Sequence, residues 1–194
     1  MASEIAKARN FAFIIYPESI PENWEECLIK IGVAMAVSPL HDKDVSERKY
    51  EDMTVDEQKI INSGGIVYKK AHYHVIYIAK NPVTADSVRN KVKRALGNKA
   101  ISHLEIVDNI EYYYQYLTHE SADAVKKKKH KYERKDIVLL NDFDIDRYVT
   151  IDESQKKELF NDLIGVIYEN KLENYFDLVD YVSVSYTHLR AHET

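Results

Sequence analysis

The sequence predicts an α+β fold: a five-stranded antiparallel sheet carrying helices, followed by a short all-helical C-terminal segment. Three observations predict it. Short apolar, β-branched runs are separated by Gly, Pro and polar turns. Helical periodicity falls between those runs, and beyond Tyr148 the strand signal stops while the helical one continues.

Each element has its own warrant. Asn10–Pro17 (NFAFIIYP) is apolar, stops at Pro17 and reads as a strand; it lacks a clear period of two, so both faces are expected to be covered. Pro21 to Glu26 then opens a helix with proline and acids in its first turn. Trp24, Leu28 and Ile31 recur at i, i+4 and i+7 before Gly32 closes it. Val33–Leu40 is a second strand, halted at Ser38-Pro39, and a polar loop is expected from His41 to about Ser63. Gly64-Gly65 turns the chain into a third strand, Ile66–Ala79. Thr84 is the N-cap expected for a helix from Ala85 to Leu96 that ends at Gly97. Ile101–Val107 is a fourth strand, Asn109–His119 a short Tyr-rich helix and Ile137–Leu140 a fifth strand. The order β-α-β-β-α-β-α-β fits a ferredoxin-like antiparallel sheet. After Tyr148, Leu159, Phe160, Leu163, Ile164 and Ile167, then Leu172, Tyr175, Phe176, Val179 and Val182, are spaced as two amphipathic helices.

Composition bounds the function. The chain has 194 residues with 45% hydrophobic and 30% charged, enough for one domain with a sizeable core and a small appendage. It has no long apolar stretch for a membrane span and no signal-peptide core in Met1–Asn10, so a cytoplasmic protein is expected. A lone Cys27 and eight His without Cys partners exclude a disulfide scaffold and a Cys-based zinc module.

The formal net charge of -5 conceals blocks of opposite sign. Residues 69–99 hold eight cations against Asp86 alone, and residues 126–135 hold seven against Glu133, whereas residues 136–182 hold twelve acids and four bases. A basic middle between acidic flanks suits a phosphate-bearing partner. Candidate phosphate contacts are Lys69, Lys70, Arg89, Lys91, Lys93 and Arg94. The run Lys126–Lys129 either adds to them or is a solvated linker.

Two clusters carry chemistry. His72 and His74, two apart in a strand, project from one face within reach of one ion. His41 and Asp44, at the end of the preceding strand, would lie beside them in an antiparallel hairpin. Three imidazoles and a carboxylate with open coordination positions suit Mn²⁺, Mg²⁺ or Zn²⁺ in a catalytic role; the competing reading is a strand-ending His41 and a loop-capping Asp44. The second cluster is Glu111–Glu120, with Tyr112, Tyr113, Tyr114 and Tyr116 on one short helix. An aromatic stripe is core by default, yet a tyrosine can attack a phosphodiester if a cation withdraws charge from the phosphate. Composition leaves open which of the four attacks. His103 and His119 are either acid-base groups or local packing.

The runs SPLHDKD (Ser38–Asp44), KKAHYHVIYIAKNPVTADSVR (Lys69–Arg89), YLTHES (Tyr116–Ser121) and FDIDRYV (Phe143–Val149) resemble, in the same order, those of the rolling-circle replication initiators of streptococcal-type plasmids, within the HUH endonuclease superfamily. The likeness covers about residues 8–182. It implies His41, Asp44, His72 and His74 as ligands of Mn²⁺ or Mg²⁺, and Tyr116, directly before Leu-Thr-His-Glu, as nucleophile. Tyr114, two residues earlier on the same helix, is the runner-up. It also implies plasmid origin DNA as substrate, topoisomerase-like nicking and closing, host replication machinery as partner and a homo-oligomer in full-length relatives. The expected organisation is an origin-binding nicking domain at 1–148, a shortened helical oligomerisation segment at 149–184, and a non-native tail at 185–194 that resembles a translated sequencing adapter and assigns no role to His188 or His192. The loop from Val45 to Tyr68 is longer than the family pattern. A non-catalytic origin-binding regulator is the rival reading. A third, an RNA-binding module, would need Tyr73 and Tyr77 exposed on the sheet.

Overall fold

The computed structural model describes residues 6–148 and 153–182. By internal contact the chain divides into two compact units, Met1–Val149 and Thr150–Thr194. The first holds five strands, β1 (Lys7–Ile15), β2 (Ala34–Val37), β3 (Tyr73–Thr84), β4 (Ile101–Ile106) and β5 (Val138–Leu140), in a wholly antiparallel sheet of order β4-β1-β3-β2-β5. The four-strand order 4-1-3-2 is that of a split β-α-β, with β5 added beside β2.

Helix α1 (Trp24–Ile29) starts after the Pro21 turn and is closed at Gly32, whose φ of +73° suits a residue without a Cβ. Helix α3 (Ala85–Leu96) starts and stops where its caps predict: Thr84 accepts a hydrogen bond from the Ser87 N–H, and Gly97 takes φ +105°. Both helices lie on one face of the sheet. Phe11, Phe13, Ile15, Met35, Val37, Val75 and Tyr77 point to that face and pack with Leu28 of α1 and Val88, Val92 and Leu96 of α3. The alternate residues Ala12, Ala36, Ile76 and Ile78 point to the other face, where Val107, Phe143 and Leu117 and Ile110 of the α4 region (helix α4, Ile110–Tyr116) cover them. β1 is therefore buried on both sides, as its lack of alternation implied.

Two expectations need correction, and a rival reading loses its surface. The polar stretch after His41 is not all loop: it contains helix α2 (Val55–Asn62), opened by a capping box in which Thr54 and Glu57 exchange hydrogen bonds. The third strand starts at Tyr73 rather than Ile66 and runs on through Pro82 to Thr84, because the segment before it pairs only through the bridges His41 to His72 and Val45 to Tyr68. Tyr77 is 2% exposed and Tyr73 packs on Trp24, so the aromatic RNA-binding surface is covered by helices. A short helix α5 (Ala122–Lys126) precedes the basic run.

In the second unit, α6 (Glu153–Glu169) and helical backbone at 175–182 occupy the region expected to be helical, with Phe160, Tyr168, Tyr175 and Phe176 exposed. The tail at 185–194, with His188 and His192, lies outside the described residues. No helix among the described residues is long and apolar enough to cross a membrane.

Candidate active site

The site begins with a one-residue irregularity. Val37 pairs with Val75, but His41 pairs with His72, so β2's continuation carries one residue more than its partner. Pro39 has no N–H for the ladder, and the Ser38 hydroxyl accepts the bond from the His74 N–H at 2.9 Å instead. A bulge of this kind re-aims the side chains beyond it, and here it turns His41 onto the α4 face beside His72 and His74.

His41, Asp44, His72 and His74 are all buried. Backbone carbonyls set the protonated nitrogen of three imidazoles: His72 Nδ1–H donates to Lys70 O at 2.7 Å, His41 Nε2–H to Leu117 O at 2.9 Å and His119 Nδ1–H to His130 O at 2.7 Å. The opposite nitrogens then present lone pairs to one another's neighbourhood. His72 Nε2 lies 3.2 Å from His74 Nε2, while His41 Nδ1 and His119 Nε2 lie 3.7 and 3.6 Å from Asp44 Oδ2. His41 Nδ1, His74 Nδ1 and His119 Nε2 are buried without a hydrogen-bond partner. The donors form two triads that share His41: His41, His72 and His74, and His41, Asp44 and His119.

Electrostatics point the same way. Burial lowers the pKa of His72, pushes that of His74 well below its ordinary value and brings His119 to about 4, so these imidazoles stay neutral. Burial alone would raise the Asp44 carboxyl; the adjoining His41, His119 and Lys129 outweigh it and hold it well below the usual range. Neutral imidazoles around one carboxylate leave a buried donor set with net negative charge, and orphaned lone pairs oriented by carbonyl-anchored N–H groups are what a divalent ion requires. The residues fit such an ion.

Helix α4 presents its four tyrosines to four environments. Asn109 caps it by accepting from the Tyr112 N–H. Tyr112 donates outward to Asp123 at 2.8 Å, and Tyr114 stacks on Phe143 at 5.9 Å in the second apolar cluster, which removes the runner-up from the site. Tyr113 is 6.4 Å from His74, with burial and Glu105 raising its pKa. Tyr116 lies closest, its ring 5.1 Å from His74 and 5.4 Å from His119, and its oxygen accepts a hydrogen bond from Lys129 Nζ at 2.9 Å.

A cleft of about 230 Å³ opens over His72, His74 and Tyr116, with Lys69, Lys70 and Lys129 at its rim. Lys69 lies 3.5 Å from Glu47; Lys70 pairs with Glu18 and sits 4.6 Å from the Tyr16 ring centre. The other four candidate cations are elsewhere: Arg89, Lys91, Lys93 and Arg94 ride on α3, whose apolar side packs against the opposite face of the sheet. The six candidate phosphate contacts thus fall on two surfaces. His103 stays on β4, 62% exposed beside Glu105.

Sequence reasoning undervalued His119 and Lys129 and missed Tyr132, whose ring stacks on His41 at 4.3 Å and whose hydroxyl donates to Asp44 at 3.4 Å and accepts from the Lys43 N–H at 3.0 Å. His119 had a signal, its place in the Tyr116–Ser121 run; Tyr132 had none.

Residues 3–146 match the family described as plasmid replication protein, origin binding domain. The chain is 54% identical over 182 residues to the replication protein RepB of Streptococcus agalactiae, covering 94% of this chain and 79% of that protein. It is 28% identical over 175 residues to a RepB replication protein of Lactiplantibacillus plantarum, covering 90% of this chain and 68% of that one. A Staphylococcus aureus replication protein is 24% identical over 176 residues, covering 91% of this chain and 76% of that protein.

Proposed function

The chain belongs to the plasmid replication proteins that carry this origin-binding domain, and from that premise we propose that it initiates rolling-circle replication by binding its origin and nicking and rejoining one strand. The observation that carries the proposal is the position of Tyr116, alone of its cluster in holding its oxygen against a fixed cation while its ring adjoins two site histidines.

His41, Asp44, His72 and His74 would hold Mn²⁺ or Mg²⁺, and His119 stands within reach of the same Asp44 oxygen. Held there, such an ion would withdraw charge from the scissile phosphate as a Lewis acid. This chain's own residues do the rest. Lys69 and Lys70 draw the backbone of the exposed strand to the cleft, and Tyr116 attacks phosphorus in line, leaving a 5′-phosphotyrosyl link and a 3′-OH for a host polymerase. Reversal of the same step rejoins the strand. Arg89, Lys91, Lys93 and Arg94, on the other face, bind duplex origin DNA.

The test is incubation of the full chain with a supercoiled plasmid carrying its own replicon, with Mn²⁺ or EDTA, comparing the wild type with Tyr116→Phe on denaturing gels. Metal-dependent nicking with a covalent adduct that vanishes in Tyr116→Phe supports the proposal. Origin binding without cleavage in any divalent metal would refute it and leave a non-catalytic origin-binding regulator.

A further inference from the structure

The lysine run at 126–129 is not uniformly solvated. Lys126, Lys127 and Lys128 are exposed, whereas Lys129 is half-buried and turned inward. Its place is set by a short strap. Just beyond helix α5, Lys128 takes the left-handed region at φ 51°, where the Lys128 N–H bonds Val125 O at 3.0 Å and the Lys129 N–H bonds Ala124 O at 3.1 Å. The next residues are tied to the chain that follows Tyr116: His130 O accepts from His119 Nδ1, and the Tyr132 N–H donates to Thr118 O at 3.1 Å. A strap pinned at both ends delivers one ammonium to one oxygen. Among the described residues, Lys129 is the side chain that hydrogen-bonds the Tyr116 hydroxyl, with Nζ also 4.9 Å from the ring centre.

We propose that Lys129 is a catalytic residue, whose ammonium fixes the Tyr116 oxygen in its attacking position and offsets the charge on that oxygen as strands are cut and rejoined. The inference rests on the reading of Tyr116 as the attacking group. In cleavage the Tyr116 Oη–phosphorus bond forms as the phosphorus–O3′ bond breaks; the phenolic proton passes to water and the departing O3′ takes one from water. In rejoining, the O3′–phosphorus bond forms as the phosphorus–Tyr116 Oη bond breaks; the 3′-hydroxyl gives its proton to water and Tyr116 leaves as the oxyanion that a fixed cation stabilises most. Lys129 remains an ammonium throughout and donates the same hydrogen bond in both directions. Lys69 and Lys70 line the same cleft without hydrogen-bonding that oxygen, which sets Lys129 apart from a lysine serving only as a phosphate contact.

The experiment uses the full chain with Mn²⁺ and a labelled single-stranded oligonucleotide spanning the nicked strand of its own replicon. Adduct formation under single turnover and oligonucleotide Kd are measured for wild type, Lys129→Met, Lys129→Arg and Tyr116→Phe. Loss of a charge-assisted bond to the reacting oxygen predicts an adduct rate about ten- to a hundredfold lower at saturating DNA in Lys129→Met. Its Kd should change less than about threefold, since one phosphate contact at most is lost. Lys129→Arg, which keeps the cation and a donor, should recover a substantial part of the rate. A Lys129→Met defect that disappears at saturating DNA, or no defect, would overturn the inference and leave Lys129 a phosphate contact or a bystander. A far-ultraviolet spectrum and thermal midpoint matching wild type separate either result from misfolding. Adduct formation that survives Tyr116→Phe would instead overturn the reading of Tyr116, and the assignment of Lys129 with it.

Discussion

The two faces of one sheet are built to different rules. On the side covered by α1 and α3, Phe11, Phe13, Ile15, Val75 and Tyr77 close against helix residues into a fully apolar layer. On the other side the same strands contribute Ala12, Ala36, Ile76 and Ile78 and then, one step along β3 and its extension, His74 and His72. Small alanines let α4 come near the sheet, and the apolar layer gives way to unpartnered imidazoles where Tyr116 arrives. Burial on the first face stabilises; burial on the second desolvates polar donors, which costs free energy unless an ion or a partner satisfies them. One face can tolerate that cost because the other does not carry it.

The largest effect expected to sharpen this contrast comes from matched truncations. Phe13→Ala removes a fully buried ring and should cost about 3–5 kcal/mol in urea unfolding. His74→Ala removes a buried imidazole whose Nδ1 lacks a partner, so metal-free stability should move by no more than about 1 kcal/mol, in either direction. Mn²⁺ should raise the thermal midpoint of the wild type, and that rise should be absent in the variant. If His74→Ala costs as much as Phe13→Ala without metal, the histidines are core and the contrast is false.

Acidity should separate the faces next. His72, His74 and His119 have folded-state pKa values lowered by burial, to about 4 for His119, against about 6.5 when unfolded. The unfolded chain therefore binds more protons in that interval, so the stability is complete above about pH 6.5 and declines as pH falls toward 4. Asp44, held low, adds its own loss only below its unfolded value of 3.8. Melting in EDTA from pH 8 to 4.5 should show Tm falling below pH 6.5, and His119→Gln should flatten part of that fall. A Tm flat across the interval would mean the imidazoles are not buried neutral.

A smaller effect should divide the cations. Arg89→Ala with Lys91→Ala removes two charges from α3, whose apolar side belongs to the first face. The log-log salt dependence of duplex-origin binding should weaken by about 1.8 at most, and single-strand cleavage should be unchanged. An equal loss in cleavage would return those cations to the tyrosine's cleft.

What could be read in advance follows the same division. Thr84 and Gly97 bound α3 by local chemistry, and His72 and His74 share a face because a strand has a period of two. The site residues from further along depended on features with no local periodicity: the extra residue near Pro39, and left-handed backbone at His119 and Lys128, which carry His119, Lys129 and Tyr132 inward. Helix propensity is silent on such turns. Helix α2 was legible, since Thr54-Val55-Asp56-Glu57 is a capping box, but its polarity masked the signal.

That helix allows the finest comparison, between the sheet and the excursion that leaves it at Val45 and returns at Tyr68. Thr54 accepts from the Glu57 N–H at 3.3 Å, Glu57 accepts from the Thr54 N–H at 2.8 Å, and Arg48 pairs with Glu57. Thr54→Ala should therefore cost α2 about 1 kcal/mol. Val55, Ile60 and Ile61 remain exposed, so α2 is fastened to the sheet by little burial and can open without it. Amide exchange should accelerate about fivefold over residues 55–62 and not in β1 or β3, with the urea midpoint unmoved. A midpoint that falls by the full cost would show instead that the excursion unfolds together with the sheet, and that its length adds to the stability of the face on which His41 and His72 sit.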